Sequence, residues 1–361
     1  RWVHNYSFLD PVTTSEGRTQ KGSASSERSD DMRMVYDNIL TYNHVWDAKH
    51  TFEAMAGTSA TTSRWENLTG SRSHFSPENY EAIFGLNGGN KGGLRGQGQG
   101  FSKWAIMSYL ARVSYNYDSK YYITANFRAD GSSNFARGHR WGIFPSGAFA
   151  WNVKQEDWLK DTKVVSQLKL RLSAGQTGQQ DGIANYSYMP IYYLSTDAYG
   201  RYNMGDAGLQ YYYTPGSYDP DITWETTTTY NVGVDFGFCD DRITGNVDAY
   251  LRNTTDLLNN VITPMGANFG NQILTNIGSM QNKGIEFSLN VVPVQTKDWH
   301  LSIGFNGTFQ DTKFTKLNNM GDENYAIFMN SPGTGTGGND LQFHKVGHSP
   351  YSFYVFEQGY D

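Results

Sequence analysis

Cysteine is almost absent from this 361-residue chain: Cys239 stands alone, which excludes an intramolecular disulfide framework and a CxxC metal site. Long apolar runs are missing too. No stretch of about 18 uncharged apolar residues occurs, so a helical membrane span is excluded, whereas a barrel strand needs only about 9–11 residues and is not. Charged residues are 18% of the chain, against roughly 25% in soluble domains. Their balance is -6, which argues against a nucleic-acid partner. The opening Arg-Trp-Val-His shows no basic and apolar leader, so either a leader has been removed or the start is not the biological one.

Catalytic and cofactor signatures are equally thin. The glycines of residues 88–100 lack both the Gly-Lys-Ser/Thr context and the strand–GxGxxG–helix context that aim amides at phosphate, and they read as a loop. His344 and His348 have helical spacing, but Gly347 and Pro350 break the helix that would bring both imidazoles to one metal. Asp240 and Asp241 are adjacent in a turn and point apart, which is unsuited to paired acid and base work. No Gly-x-Ser-x-Gly elbow occurs. The expectation is a protein that is not an enzyme, with no catalytic residues, no cofactor and no metal.

What is present is aromatic alternation. Aromatics make up 15% of residues, with 25 Tyr, while the mean hydropathy is negative. In residues 107–117, Met107, Tyr109, Ala111, Val113, Tyr115 and Tyr117 share one face, and Ser108, Arg112, Ser114 and Asn116 the other. A tight turn at Asp118-Ser119 follows, and then Tyr121, Ile123, Ala125, Phe127 and Ala129 alternate with Tyr122, Thr124, Asn126, Arg128 and Asp130. A period of two means strands, and so short a turn makes them antiparallel neighbours. Charges in mid-strand need water on their face, as in the lumen of a membrane barrel.

The same pattern recurs. Leu168, Leu170, Leu172 and Ala174 alternate with Lys169, Arg171 and Ser173. Tyr230, Val232, Val234 and Phe236 lead through the Cys239-Asp240-Asp241 turn into Ile243, Val247 and Ala249; Ile285, Phe287, Leu289 and Val291 lead into Leu301, Ile303 and Phe305. Residues 1–31 read as the end of a strand and an exposed loop, 154–165 as a short helical turn, and 59–103, 177–221 and 257–282 as patternless connections. Connections are therefore short near 45, 118, 160, 240 and 296, and long near 80, 135, 200, 270 and 330. An outer-membrane barrel with tight periplasmic turns and long extracellular loops requires this asymmetry, whereas a secreted β-sandwich or propeller does not.

Residues 117–121 (Tyr-Asp-Ser-Lys-Tyr), 128–135 (Arg-Ala-Asp-Gly-Ser-Ser-Asn-Phe), 140–146 (Arg-Trp-Gly-Ile-Phe-Pro-Ser), Trp151-Asn-Val with Glu156, Trp158 and Leu159, and 168–179 follow one another in order. With 224–236 and 276–287, they make the chain resemble the mid-barrel region of TonB-dependent outer-membrane transporters of the SusC/RagA type, found in the Bacteroidetes. The resemblance covers most of the chain, from about Asp37 to Tyr354.

It implies an all-β, transmembrane antiparallel β-barrel in the bacterial outer membrane, with residues 1–361 forming part of one barrel domain. About ten strands are readable, of the roughly 22 in barrels of this size, so the piece would not close alone. The N-terminal plug with its TonB box and the last strands lie outside the chain, which favours an internal fragment. The implied function is TonB-dependent import of glycan fragments or oligopeptides. Implied partners are a SusD-like surface lipoprotein, the TonB-ExbB-ExbD complex acting through the plug, the lipid bilayer and lipopolysaccharide, and no nucleic acid. The competing readings are a secreted soluble carbohydrate-binding β-module and a passive porin.

Within this frame, Tyr109, Val113, Ile123, Phe127, Val232, Phe236, Val247, Leu289 and Ile303 are expected to face lipid, and Arg112, Arg128, Asn231, Asp248 and Glu286 to face inward. Candidate lumen or substrate-facing residues are Asn126, Arg128, Asp130, Arg140, Asp235, Asp248 and Arg252. Aromatic loop residues Tyr199, Tyr202, Tyr211, Tyr212, Tyr213 and Phe269 are the candidates for docking a lipoprotein lid.

Overall fold

The computed structural model describes residues 1–75, 86, 95–194, 201–203, 205, 208–263, 266, 269–270, 272–318, 325–330 and 340–354. In chain order the elements are β1 (Trp2–Leu9), α1 (Ser15–Gln20), β2 (Ser23–Trp46), β3 (His50–Ser73), β4 (Arg95–Tyr117), β5 (Tyr121–Ser132), β6 (Trp141–Asn152) and β7 (Val165–Gln179). Short loop strands follow as β8 (Tyr192–Leu194), β9 (Arg201–Asn203), β10 (Leu209–Tyr211) and β11 (Tyr213–Pro215). Then come β12 (Glu225–Phe238), β13 (Ile243–Ile262), β14 (Gln272–Gln295), β15 (His300–Lys316), β16 (Ala326–Asn330), β17 (Asp340–Lys345) and β18 (Ser352–Phe353).

Eleven of these strands form one sheet in the order β1-β2-β3-β4-β5-β6-β7-β12-β13-β14-β15. From β5 onward every neighbouring pair is antiparallel. Three of the short connections turn in left-handed backbone: Asp47 and Ala48, Asp118 and Ser119, and Cys239 through Asp241 all have φ between 48° and 62°. That handedness matches the twist of the flanking strands, as two-residue hairpins require.

Several strands outrun their sequence signal. β2, β3 and β14 each have 24 residues, more than twice the roughly 9–11 that cross a bilayer. Alternation is enforced only where one face meets lipid. Beyond that band both faces are wet, so the stretches read as patternless at 59–73, 95–103, 257–262 and 272–282 are strand without a periodic pattern, with register shifts at Leu257 and between Ser279 and Met280. Residues 1–31 likewise hold β1, which pairs with β2 from Trp2↔Asp30 to Leu9↔Ser23, and α1, whose first turn is capped by Thr14 accepting from the Gly17 amide at 3.0 Å. The connection at 154–165 opens with a 3-10 turn over Val153–Gln155. The Tyr-rich segment contains two small two-stranded sheets, β8 with β11 and β9 with β10.

The chain divides into two compact units, residues 1–37 with 59–107, and residues 38–58 with 108–361. In the first, Phe8 meets Phe75 edge to face and the Arg33 guanidinium lies over the Trp104 ring. In the second, the buried cluster comprises Phe135, Phe144, Ile183, Ile222 and Trp224. Phe144 belongs to β6, while the other four come from long connections, so this small core holds loops against one end of the strands.

Candidate functional site

Register sorts the side chains of the second unit onto two faces. On one face Leu172, Val232 and Ala249 lie in line, as do Leu170, Val234 and Val247; on the other Arg171, Gly233, Asp248, Glu286 and Thr308 line up across five strands. The apolar face is the open one: Val232 is 54% exposed and Ile303 56%. A soluble sandwich would bury that face as its core. Here the polar face holds the ion pairs and the apolar face is bare.

Aromatic rings bound the apolar band. Tyr109 stacks on Trp141 at 5.7 Å at one end, and Tyr121 stacks on Tyr117 and on Trp151, both at 6.4 Å, at the other. Trp141 and Trp151 open and close the outward face of β6. At about 3.3 Å per residue their separation is about 33 Å along the strand, or about 25 Å vertically at a tilt near 40°, the height of a bilayer-facing band between two aromatic girdles.

On the polar face the charges interlock. The Arg171 guanidinium donates to Asp235 from Nε and Nη2 and to Asp248 from Nη1 and Nη2, at 2.8–3.1 Å, joining β7, β12 and β13. Asn246 donates to Asp248 at 2.9 Å and accepts from the Ser288 hydroxyl. Nearer the long loops, Arg128 Nε donates to both carboxylate oxygens of the buried Asp130, and Arg112 Nε donates to Asn126, which donates to Ser146 Oγ at 3.1 Å. Lys169 lies over the Tyr122 ring at 4.8 Å and Arg252 over Tyr250 at 4.6 Å. Arginine suits these positions because its planar fork satisfies two carboxylates without titrating.

Of the sequence candidates, Asn126, Arg128, Asp130, Asp235, Asp248 and Arg252 share this polar face. Arg140 stands just before β6, where Nε donates to the Phe135 carbonyl and its own carbonyl accepts from Trp224 Nε1 at 3.0 Å, so it braces the loop cluster. Tyr212, Tyr213 and Phe269 are exposed. Tyr202 and Tyr211 lie on β9 and β10, and Tyr199 lies outside the described residues. His344 is on β17 with its ring against Phe314 and Tyr351, while His348 packs on Phe343. Among the described residues no group of three metal-ligating side chains occurs.

Sequence reasoning overlooked Arg171, the hub of the ion cluster, and Phe135 and Trp224 in the loop core. Arg171 was visible as a mid-strand charge. That it meets two aspartates more than sixty residues away follows only from register.

An open apolar face bounded by aromatic girdles, opposite a wet charged face, is the wall of a membrane barrel, and the comparisons agree. A family model described as TonB dependent receptor-like, beta-barrel, matches residues 2–354. The chain belongs to this family. It is 42% identical over 270 residues to the TonB-dependent receptor SusC of Bacteroides thetaiotaomicron, covering 74% of this chain and 26% of that receptor. TonB-dependent receptor P3 of Formosa agariphila is 31% identical over 350 residues, 96% of this chain and 33% of the relative. The solved RagAB peptide importer in its open-open state superposes with a TM-score of 0.78 at 24% identity, over 92% of this chain and 34% of that one, a likeness of fold. The chain thus spans about a quarter to a third of the length of these relatives. It is barrel wall of the SusC/RagA type and lies in the bacterial outer membrane.

Membership in the TonB-dependent receptor family gives the interlocked face its setting. The short connections 47–49, 118–120, 239–242 and 296–299 are the periplasmic turns of the barrel. At the β6–β7 turn, Glu156 accepts from Tyr121 Oη at 2.6 Å and Trp151 Nε1 at 2.9 Å and lies 3.7 Å from Lys120 Nζ. These two hydrogen bonds, helped by Lys120, hold its carboxyl below the usual carboxylate range. Lys154 Nζ closes the same turn by donating to the carbonyls of Leu159, Lys160 and Thr162.

Proposed function

We propose that this chain is part of the wall of a TonB-dependent importer, and that all of residues 1–361 belong to one barrel domain. The importer takes glycan fragments or oligopeptides from a SusD-like surface lipoprotein and moves them inward with energy from TonB-ExbB-ExbD. Transport through the wall involves no bond-making step by these residues. The observation that carries this reading is the opposition of a bare apolar face to a charged, hydrogen-bonded one, joined to the 42% identity with SusC. Asn126, Arg128, Asp130, Asp235, Asp248 and Arg252 hydrate the lumen and contact cargo in transit. Arg140 shapes the mouth through its loop contacts.

The aromatic loop residues Tyr199, Tyr202, Tyr211, Tyr212, Tyr213 and Phe269 dock the lipoprotein lid. The exposure of Tyr212, Tyr213 and Phe269 supports this, because aromatic surface with few charges is the composition of an interface core. The outer wall meets lipid and, in the outer leaflet, lipopolysaccharide.

The test is uptake of labelled oligosaccharides and oligopeptides by cells carrying the full-length protein, with tonB intact or deleted. Import of one class that vanishes with tonB and with loss of this protein is the expected result. Import that continues without tonB would establish the passive porin instead.

A further inference from the structure

The polar face of β4, β5 and β6 bounds a concavity of about 600 Å³ whose charges do not balance. Two guanidiniums line it. Arg128 is occupied, donating from Nε to both oxygens of Asp130 at 2.9 and 2.7 Å and from Nη2 to Ser108 Oγ at 3.3 Å. Arg112 is different. Among the described residues it makes one side-chain hydrogen bond, Nε to Asn126 Oδ1 at 2.8 Å, and no ion pair. The terminal N–H donors of its fork are left over.

Its direction is nevertheless constrained. Asn126 donates to Ser146 Oγ at 3.1 Å, so a row of hydrogen bonds crosses three strands and holds the Arg112 fork at the edge of the hollow. Met55, Leu110 and Phe144 supply an apolar flank. A cation beside apolar surface, with unused coplanar donors, accepts a carboxylate two bonds at a time, and the poorly solvated flank strengthens those bonds.

We propose that this concavity is a subsite for a carboxylate carried next to an apolar group, with Arg112 as its charge partner. The proposal rests on the import reading and narrows its cargo to molecules bearing such a group. The C-terminus of an oligopeptide and a uronic acid in a glycan fragment present the same carboxylate chemistry, and the test separates them.

The full-length protein in detergent is titrated calorimetrically with two matched pairs of probes: an apolar tripeptide acid against its C-terminal amide, and a glucuronic-acid disaccharide against its neutral glucose counterpart. Within one pair the acid is expected to bind roughly ten- to a hundredfold more tightly, and that pair names the source. Arg112→Gln should reduce the preference to near unity while leaving neutral-probe affinity and the ligand-free unfolding midpoint unchanged. Equal binding of acid and neutral probes by the unaltered protein, or no binding of either acid, overturns the subsite. So does an Arg112→Gln chain whose ligand-free midpoint falls, because the guanidinium would then serve a carboxylate of the protein itself. TonB-dependent uptake of neutral cargo is scored separately, so the subsite can fail while the importer stands.

Discussion

Gly233 lies directly beneath the Arg171 guanidinium: a Cβ at that position would stand 2.7 Å from Arg171 Nη2 and 2.3 Å from Asp248 Oδ1. A side chain there would force the ends of Arg171 and Asp248 to shift out of the geometry in which the fork reaches across β12 to both aspartates. Gly233→Ala should therefore break the cluster and cost about 1–3 kcal/mol, as when charged hydrogen-bonding groups lose partners. Urea-induced unfolding from lipid vesicles measures it. An unchanged midpoint would mean that the ion cluster adds nothing to the wall.

The two faces should respond oppositely to charge. Val234 sits between Leu170 and Val247 on the apolar face, whereas Asn231, three residues earlier on β12, pairs with Ser173 and Tyr250 on the polar one. Val234→Arg is expected to destabilise the intact barrel by about 2–4 kcal/mol if near the midplane, while Asn231→Arg is near neutral. Equal losses in the same refolding assay would contradict the assignment of faces.

Loop order depends on the small core. Phe135 and Ile222 are fully buried, and Trp224 ties its indole to the Arg140 carbonyl. Phe135→Ala should cost about 3–5 kcal/mol locally, in the range of large aromatic truncations. The expected outcome is rapid proteolysis within 131–141 and 180–224 with the strands still protected.

The β6–β7 turn should be sensitive to acid. Hydrogen bonds from Tyr121 and Trp151 lower the Glu156 pKa below its ordinary value of 4.5. A carboxyl with a depressed folded-state pKa adds stability that is fully present above its unfolded value and is lost as pH falls through the folded one. The protection of amides 153–162 against hydrogen exchange, relative to the intrinsic rate at each pH, should therefore fall below about pH 4.5 in the unaltered protein. In Glu156→Gln the acid step should vanish.

Docking of the lid is tested by deleting residues 199–213. Recovery of the lipoprotein with the barrel should drop while the barrel stays folded, because loop tips tolerate change better than strands. If recovery and uptake are both unaffected, the docking surface lies elsewhere.

The alternation of Ile123, Phe127, Val232, Leu289 and Ile303 with Arg112, Asn231, Asp248 and Glu286 was enough by itself to determine strands and two opposed faces, but not every connection length: the β6–β7 connection, expected short, spans 153–164 and is longer than 133–140 and 263–271, which were expected long. A bilayer on one side and water on the other impose a period of two wherever both are present. The strand ends were not legible, because beyond the band both faces meet water and no pattern is selected. Nor were the partners of the charges. That Arg171 joins Asp235 and Asp248, that Arg128 is spent on Asp130 while Arg112 is not, and that Phe135, Ile222 and Trp224 close one core are facts of register and loop closure. Those depend on contacts between residues far apart in the chain, which only the tertiary structure brings together.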